Sequence, residues 1–192
     1  RGAFTQSNGT LTIINSSAEY GGAIYVEKTF TQSNGRLMIQ SSLAKWDGGA
    51  INVRGAFTQS NGTLTIINSS AKKYGGTIFA KTFTQSNGTM SIINSSAELE
   101  GGAMSIKGNF IANKGTLSIR NATGKSGGGM QVRGDVVLVN AAVSFHQCHA
   151  REDGGGIRAF RNVDATNTTL LFVRSTTDSG RGAALMAMDL KQ

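Results

Sequence analysis

Phe57-Thr58-Gln59-Ser60-Asn61-Gly62-Thr63-Leu64-Thr65-Ile66-Ile67-Asn68-Ser69-Ser70-Ala71 reads as two short β segments, each followed by residues that turn the chain. Apolar and polar side chains alternate over Phe57-Thr58-Gln59 and Leu64-Thr65-Ile66, which is strand periodicity. Asn61-Gly62 and Asn68-Ser69-Ser70 carry turn chemistry. Further on, Tyr74-Gly75-Gly76 supplies a third turn and Thr77-Ile78-Phe79-Ala80 a third segment. No window shows a 3.6-residue apolar period, and the β-branched and glycine content opposes helix.

The same unit recurs along the whole chain. Phe4, Phe30, Phe57, Phe83 and Phe110 stand 26 or 27 residues apart, and Val137 and Val163 continue the row. Glycine pairs beginning at Gly21, Gly48, Gly75, Gly101, Gly127 and Gly154 keep the same interval, with Gly180 and Gly182 closing it. A period of this size marks one structural unit stacked many times. Three strands per unit make one coil of an all-β parallel β-helix, each strand pairing with its copy about 4.8 Å along the axis. Seven such coils span roughly 30 Å. Leu11, Ile13, Ile24 and Val26, with their later equivalents, are expected to face inward.

Two further rows carry structural expectations. Asn8, Asn34, Asn61, Asn87, Asn113, Asn140 and Asn167 repeat at one turn, where amides tolerate a left-handed backbone and can bond along the stack. Gly21, Gly48, Gly75, Gly101 and Gly154 are expected to hold another turn because they lack a Cβ. Residues 1–18 are identical to 54–71, and 28–35 to 81–88, so coils were copied in pairs. The expectation is one solenoid domain over 1–192, near-identical over 1–109 and diverged over 110–192. Because it opens in mid-repeat, it is expected to be a piece of a longer repeat protein, with end-to-end self-association available to uncapped coils.

Composition narrows the function. There are 26 glycines, no proline and one cysteine, Cys148, so no intrachain disulfide can form. No run of 18 apolar residues could span a bilayer as a helix. The net charge of +8 favours anionic partners. Arg1, Lys28, Arg54, Lys81, Lys107, Arg133 and Arg161 recur after the third segment. Stacking would gather Arg54, Lys81, Lys107 and Arg133 into a stripe suited to acidic polysaccharide or a surface glycoprotein, although a solvated turn copied by duplication reads the same way. Nucleic acid is disfavoured, because aromatic residues outside the core are sparse and offer no stacking platform beside the basic row.

Gly21-Gly-Ala-Ile24, Gly48-Gly-Ala-Ile51, Gly75-Gly-Thr-Ile78 and Gly101-Gly-Ala-Met104 resemble the GGAI half of the chlamydial polymorphic outer membrane protein repeat. Phe145-His-Gln-Cys148, ahead of Gly154-Gly-Gly-Ile157, matches its FxxN half in spacing, with cysteine in the Asn place. The resemblance implies a right-handed parallel β-helix of the pectin-lyase-like or autotransporter-passenger kind. It also implies display at a cell surface or outside the cell and use in adhesion. The expected function is a non-enzymatic module that binds carbohydrate or protein along a lateral face, and no cofactor is assigned.

Other readings compete. A polysaccharide lyase or hydrolase needs paired carboxylates, or acidic calcium ligands with a basic catalyst. Asp153, Arg158 and Asp164, near Glu152 and Asp178, are the residues of that type. Thr10, Thr12, Thr63 and Thr65 form an outward array like that of an ice-binding solenoid, interrupted by Arg36 and Met38. His146, Cys148 and His149 could ligate a metal, but strand alternation would put His146 and Cys148 on one face and His149 on the other. No metal site is therefore assigned. Asn-x-Ser/Thr sequons at Asn8, Asn15, Asn61, Asn68, Asn87, Asn94, Asn121 and Asn167 are acceptors only in a secreted eukaryotic chain.

Overall fold

Every strand in the computed structural model, which describes residues 2–191, pairs in parallel with its counterpart one repeat away. The result is a right-handed parallel β-helix of about seven coils. Each coil has a Phe-bearing strand such as Phe30–Ser33, a long strand such as Arg36–Ala44, and a short strand such as Ile24–Val26. In Ile51–Ser60 and Ile78–Ser86 the short and Phe-bearing strands run on as one. The Phe-bearing and short strands share one bent sheet, and the long strands form the other.

Register is kept from end to end. Leu11, Leu37, Leu64, Met90, Leu117, Val143 and Leu170 stand over one another, as do Ile24, Ile51, Ile78, Met104, Met130, Ile157 and Leu185. From Leu37 to Val143 and from Ile51 to Ile157 these rows are buried, while Leu11, Ile13 and Leu170 in the end coils are half-buried. Phenylalanine rings stack at 4.4–4.9 Å from Phe4 to Phe110. Each such pair contributes about 0.5–1.5 kcal/mol beyond its buried area. The row continues through Val136, which pairs with Phe110 and Val163, and not through Val137. Val137 faces outward because alternation along Val136–Val139 buries Val136 and Leu138.

In the sixth and seventh coils the aromatic stack changes face, with Phe145 over Phe172 at 5.3 Å. Both rings occupy the Ile66 and Ile119 row. The exchange explains why the turns at Gly127 and Gly154 read Gly-Gly-Gly where earlier ones read Gly-Gly-Ala or Gly-Gly-Thr. A Cβ on Gly129 would lie 2.5 Å from the Phe145 ring, and one on Gly156 would lie 2.4 Å from Phe172. The two-glycine turn itself is fixed by backbone: Gly75 has φ +61, and a Cβ there would lie 2.1 Å from the Ile78 carbonyl oxygen.

The asparagine rows behave differently from expectation. Asn8, Asn34, Asn61, Asn87, Asn140 and Asn167 do adopt positive φ, but Asn113 ends a strand opposite Ser86 and Lys114 takes the left-handed position. Among the described residues the amide ladder runs along the other row. Asn94 Nδ2 donates to Asn68 Oδ1 and Asn121 Nδ2 to Asn94 Oδ1, both at 3.0 Å. The corner beside the first row is held by glutamines inside the coil. Gln59 Nε2 donates to the Gly62 and Thr89 carbonyls, and Gln85 Nε2 to the Gly88 and Thr116 carbonyls and Gln59 Oε1.

Gly129→Ala is expected to lower stability by about 1–3 kcal/mol through overpacking against Phe145. In a Phe145→Ile background the same change should cost much less, because the two sites are coupled. Urea midpoints measure both. Gln59→Leu removes the interior amide bonds to the Gly62 and Thr89 carbonyls and the acceptor for Gln85 Nε2, and should cost about 1–3 kcal/mol by the same measurement.

Candidate functional site

The short strands and their flanks build a trough that runs parallel to the solenoid axis. One wall is the residue before each glycine pair: Tyr20, Asp47, Tyr74, Glu100, Ser126 and Asp153, successive in the stack. The floor is the outward residue of each short strand: Tyr25, Asn52, Phe79, Ser105, Gln131 and Arg158. The second wall is the residue after each short strand: Glu27, Arg54, Lys81, Lys107, Arg133 and Phe160. Outward side chains on a sheet are ordinarily exposed. Here Asn52 is 1 % and Gln131 0 % exposed, because the walls rise on both sides.

The basic stripe is therefore real as a row from Arg54 to Arg133, but its ends differ from the sequence reading. Lys28 and Arg161 fall one residue late, since Glu27 and Phe160 occupy the row. Most coils carry an extra residue between the short strand and the Phe-bearing strand, and simple spacing misses the offset. At Gly55 this residue sits so close to the Lys28 carbonyl that no Cβ fits. Arg1 lies outside the described residues.

Aromatic rings accompany the cations, contrary to the sequence expectation. The Arg54 guanidinium lies 5.9 Å from both the Tyr20 and Tyr25 rings, and Lys107 Nζ lies 5.0 Å from Phe79. Arg133 and Arg158 lie 6.0 and 4.6 Å from Phe160. Tyr25, Phe79 and Phe160 are spread over separate repeats, so only the coil register brings them beside the basic row. A cleft of about 500 Å³ opens in this trough, lined by Tyr20, Asp47, Asn52, Arg54, Phe79, Lys81 and Lys107. Arg54, Lys81 and Lys107 make no ion pair among the described residues.

Burial raises the Asp47 carboxyl above the usual aspartate range, against the lowering pull of Lys73, Lys107, a hydrogen bond from the Tyr74 backbone and Arg54. Asn52 Nδ2 donates to the Asp47 carbonyl at 3.1 Å, while Asn52 Oδ1 is buried without a protein partner. The cleft thus offers free cations, aromatic faces and an unused amide acceptor. That combination suits a hydroxylated ring bearing negative charge.

The remaining sequence candidates separate. Asp153 and Arg158 meet at 3.3 Å, and Asp153 Oδ1 also accepts from the Arg181 backbone. Asp164 sits on Asn162–Thr166, round the corner past Phe160, and no hydrogen bond or ion pair joins it to the other two among the described residues. Gln147 is left-handed, which resets the alternation of the strand: Cys148 points inward, and His146 and His149 both stay outside. This corrects the expected pairing of His146 with Cys148. Burial pushes the Cys148 thiol up to about 12, an inert group in the row of Ser42, Ser69, Ser95 and Ala122. His149 instead contacts Thr176 at 3.0 Å and Asp178 at 3.4 Å. In the threonine array, Thr12 and Thr65 flank Met38, and Ser91, Ser118 and Ser144 follow. All eight sequon asparagines are exposed. Among the described residues no helix is long and apolar enough to cross a membrane.

No protein-family model matches the chain, and no curated protein or solved structure matches it.

The raised Asp47 carboxyl gives a pH signature. Its folded form holds a proton more tightly than its unfolded form, so its contribution to stability is full below the ordinary aspartate range. That contribution is lost as pH rises through the folded-state value. Asp47→Asn should therefore match the wild type near pH 3 and become relatively more stable as pH approaches 7, measured by urea unfolding at each pH.

Proposed function

We infer that this β-helix is a non-enzymatic, adhesin-like module of a cell surface or extracellular space, which binds acidic glycan along its lateral trough. The observation that carries this reading is the single cleft in which Arg54, Lys81 and Lys107 stand free beside Tyr20 and Phe79. Stacked cations spaced by one coil meet a linear polyanion at repeated points, so weak contacts add along the chain. Arg54 can take a carboxylate in a fork, whereas the lysines act as point charges. Tyr20, Tyr25 and Phe79 supply apolar faces for sugar rings. The resemblance of the Gly-Gly-Ala-Ile strings to the chlamydial surface repeat supports a display role, and the net charge of +8 supports an anionic ligand.

The lyase reading draws on Asp153 beside Arg158, but that carboxylate is already held by two donors and Asp164 does not join it. Cleavage of polygalacturonate that Asp153→Ala abolishes would reverse the ranking.

Titration with a tetrameric uronate oligosaccharide tests the binding reading. The triple change Arg54→Gln, Lys81→Gln, Lys107→Gln should weaken affinity at least about tenfold, as three exposed charge contacts of about 0.5 kcal/mol each are lost. Added salt should weaken the wild type and scarcely affect the triple variant. Equal affinity of the two proteins would overturn the reading.

A further inference from the structure

Beyond the open cleft, the trough is crossed by a side-chain bridge. Glu100 stands on the first wall in the fourth coil, and Arg133 on the opposite wall in the fifth. Arg133 donates to both Glu100 oxygens at 3.1 Å. The pair runs diagonally over the two floor positions between those walls, Ser105 and Gln131, which are themselves in register. Both floor residues are buried although they face outward from the sheet. Gln131 is 0 % exposed, and neither its Nε2 nor its Oε1 has a hydrogen-bond partner in the protein.

This arrangement is unlike a settled core amide. A buried amide with four unused hydrogen-bonding positions is costly, and interior polar groups are nearly always satisfied. Gln59, inside an earlier coil, shows the satisfied case: its Nε2 donates to two carbonyls and its Oε1 accepts from Gln85. The ion pair that crosses the trough at this level reaches into solvent, with the Arg133 side chain half-exposed, and such pairs contribute little net stability. It can open at small cost. Next to it, Lys107 on the same wall belongs to the open cleft, so a chain lying in the cleft and extending one coil further meets Arg133.

We propose that the Glu100–Arg133 ion pair is a displaceable strap over a subsite floored by Gln131, and that a carboxylate of an acidic glycan opens it by replacing Glu100 on Arg133. The released floor then presents an amide donor and acceptor to the hydroxyls of the same sugar unit, with the Phe160 ring beside Arg133 as the adjoining apolar face. No bond is made or broken; one carboxylate exchanges for another on the guanidinium. The proposal rests on the trough being the acidic-glycan site.

Two readouts on the intact chain test it. The first needs no ligand: solvent exchange of the Gln131 side-chain amide, followed by NMR, should be slow in the wild type and faster in both Glu100→Gln and Arg133→Gln. The second is affinity for the tetrameric uronate oligosaccharide. Glu100→Gln, which removes the competitor and keeps the cation, should bind roughly three- to tenfold more tightly. Arg133→Gln should show no gain, and adding Gln131→Leu to Glu100→Gln should erase most of it. Wild-type binding without a gain in Glu100→Gln overturns the strap and leaves the cleft reading intact. Absence of binding in every variant removes both the cleft reading and opening by carboxylate. Amide exchange that is the same in all three proteins overturns the strap whatever the binding shows.

Discussion

Backbone pairing between coils holds each strand residue about 4.8 Å from its counterpart one turn away, in one register along each row of strands. A side chain on this scaffold has its own copies, or their replacements, as its nearest lateral neighbours. Aromatic rings become stacks, interior glutamines become a chain of hydrogen bonds, and exposed asparagines become a ladder. The same constraint forbids local change without compensation, as Gly129 and Gly156 show by yielding space to Phe145 and Phe172.

Register also makes a binding surface from residues that mean little singly. One residue before the glycine pair, one on the short strand and one after it give a wall, a floor and a wall in every coil. Over the second to fourth coils the far wall is Arg54, Lys81 and Lys107, and the floor is Asn52 and Phe79, so the trough is open and cationic. In the next two coils the charges are matched across it, Arg133 with Glu100 and Arg158 with Asp153. A continuous groove thereby changes from free charge to compensated charge along its length.

The fold was legible because its evidence is periodic: Phe57, Leu64, Ile66, Gly75 and Ile78 each repeat, and the structure puts each one in its row. Legibility failed where one residue decided the register. Val137 falls one place from Val136, Asn113 from Lys114, and Lys28 and Arg161 from Glu27 and Phe160, since repeat intervals vary by a residue and a residue one place off its row still keeps such an interval. Gln59 reads as a polar strand residue, and its polarity masks the inward placement that alternation with Phe57 implies. The basic row was visible in the sequence, and its aromatic companions were not. Tyr25, Phe79 and Phe160 recur too irregularly to form a pattern until the coils are stacked. The left-handed residue Gln147, which decides where Cys148 and His149 point, carries no sequence mark beyond its place opposite Asn121.

The most direct measurement of the central claim is a crystal structure of this chain with a bound uronate oligosaccharide. The account predicts a ligand lying along the solenoid axis in the trough, with carboxylates on Arg54, Lys81 and Lys107 and rings against Tyr20 and Phe79. A ligand lying across the threonine-bearing long face, or seated at the Asp153–Arg158 pair alone, would contradict it.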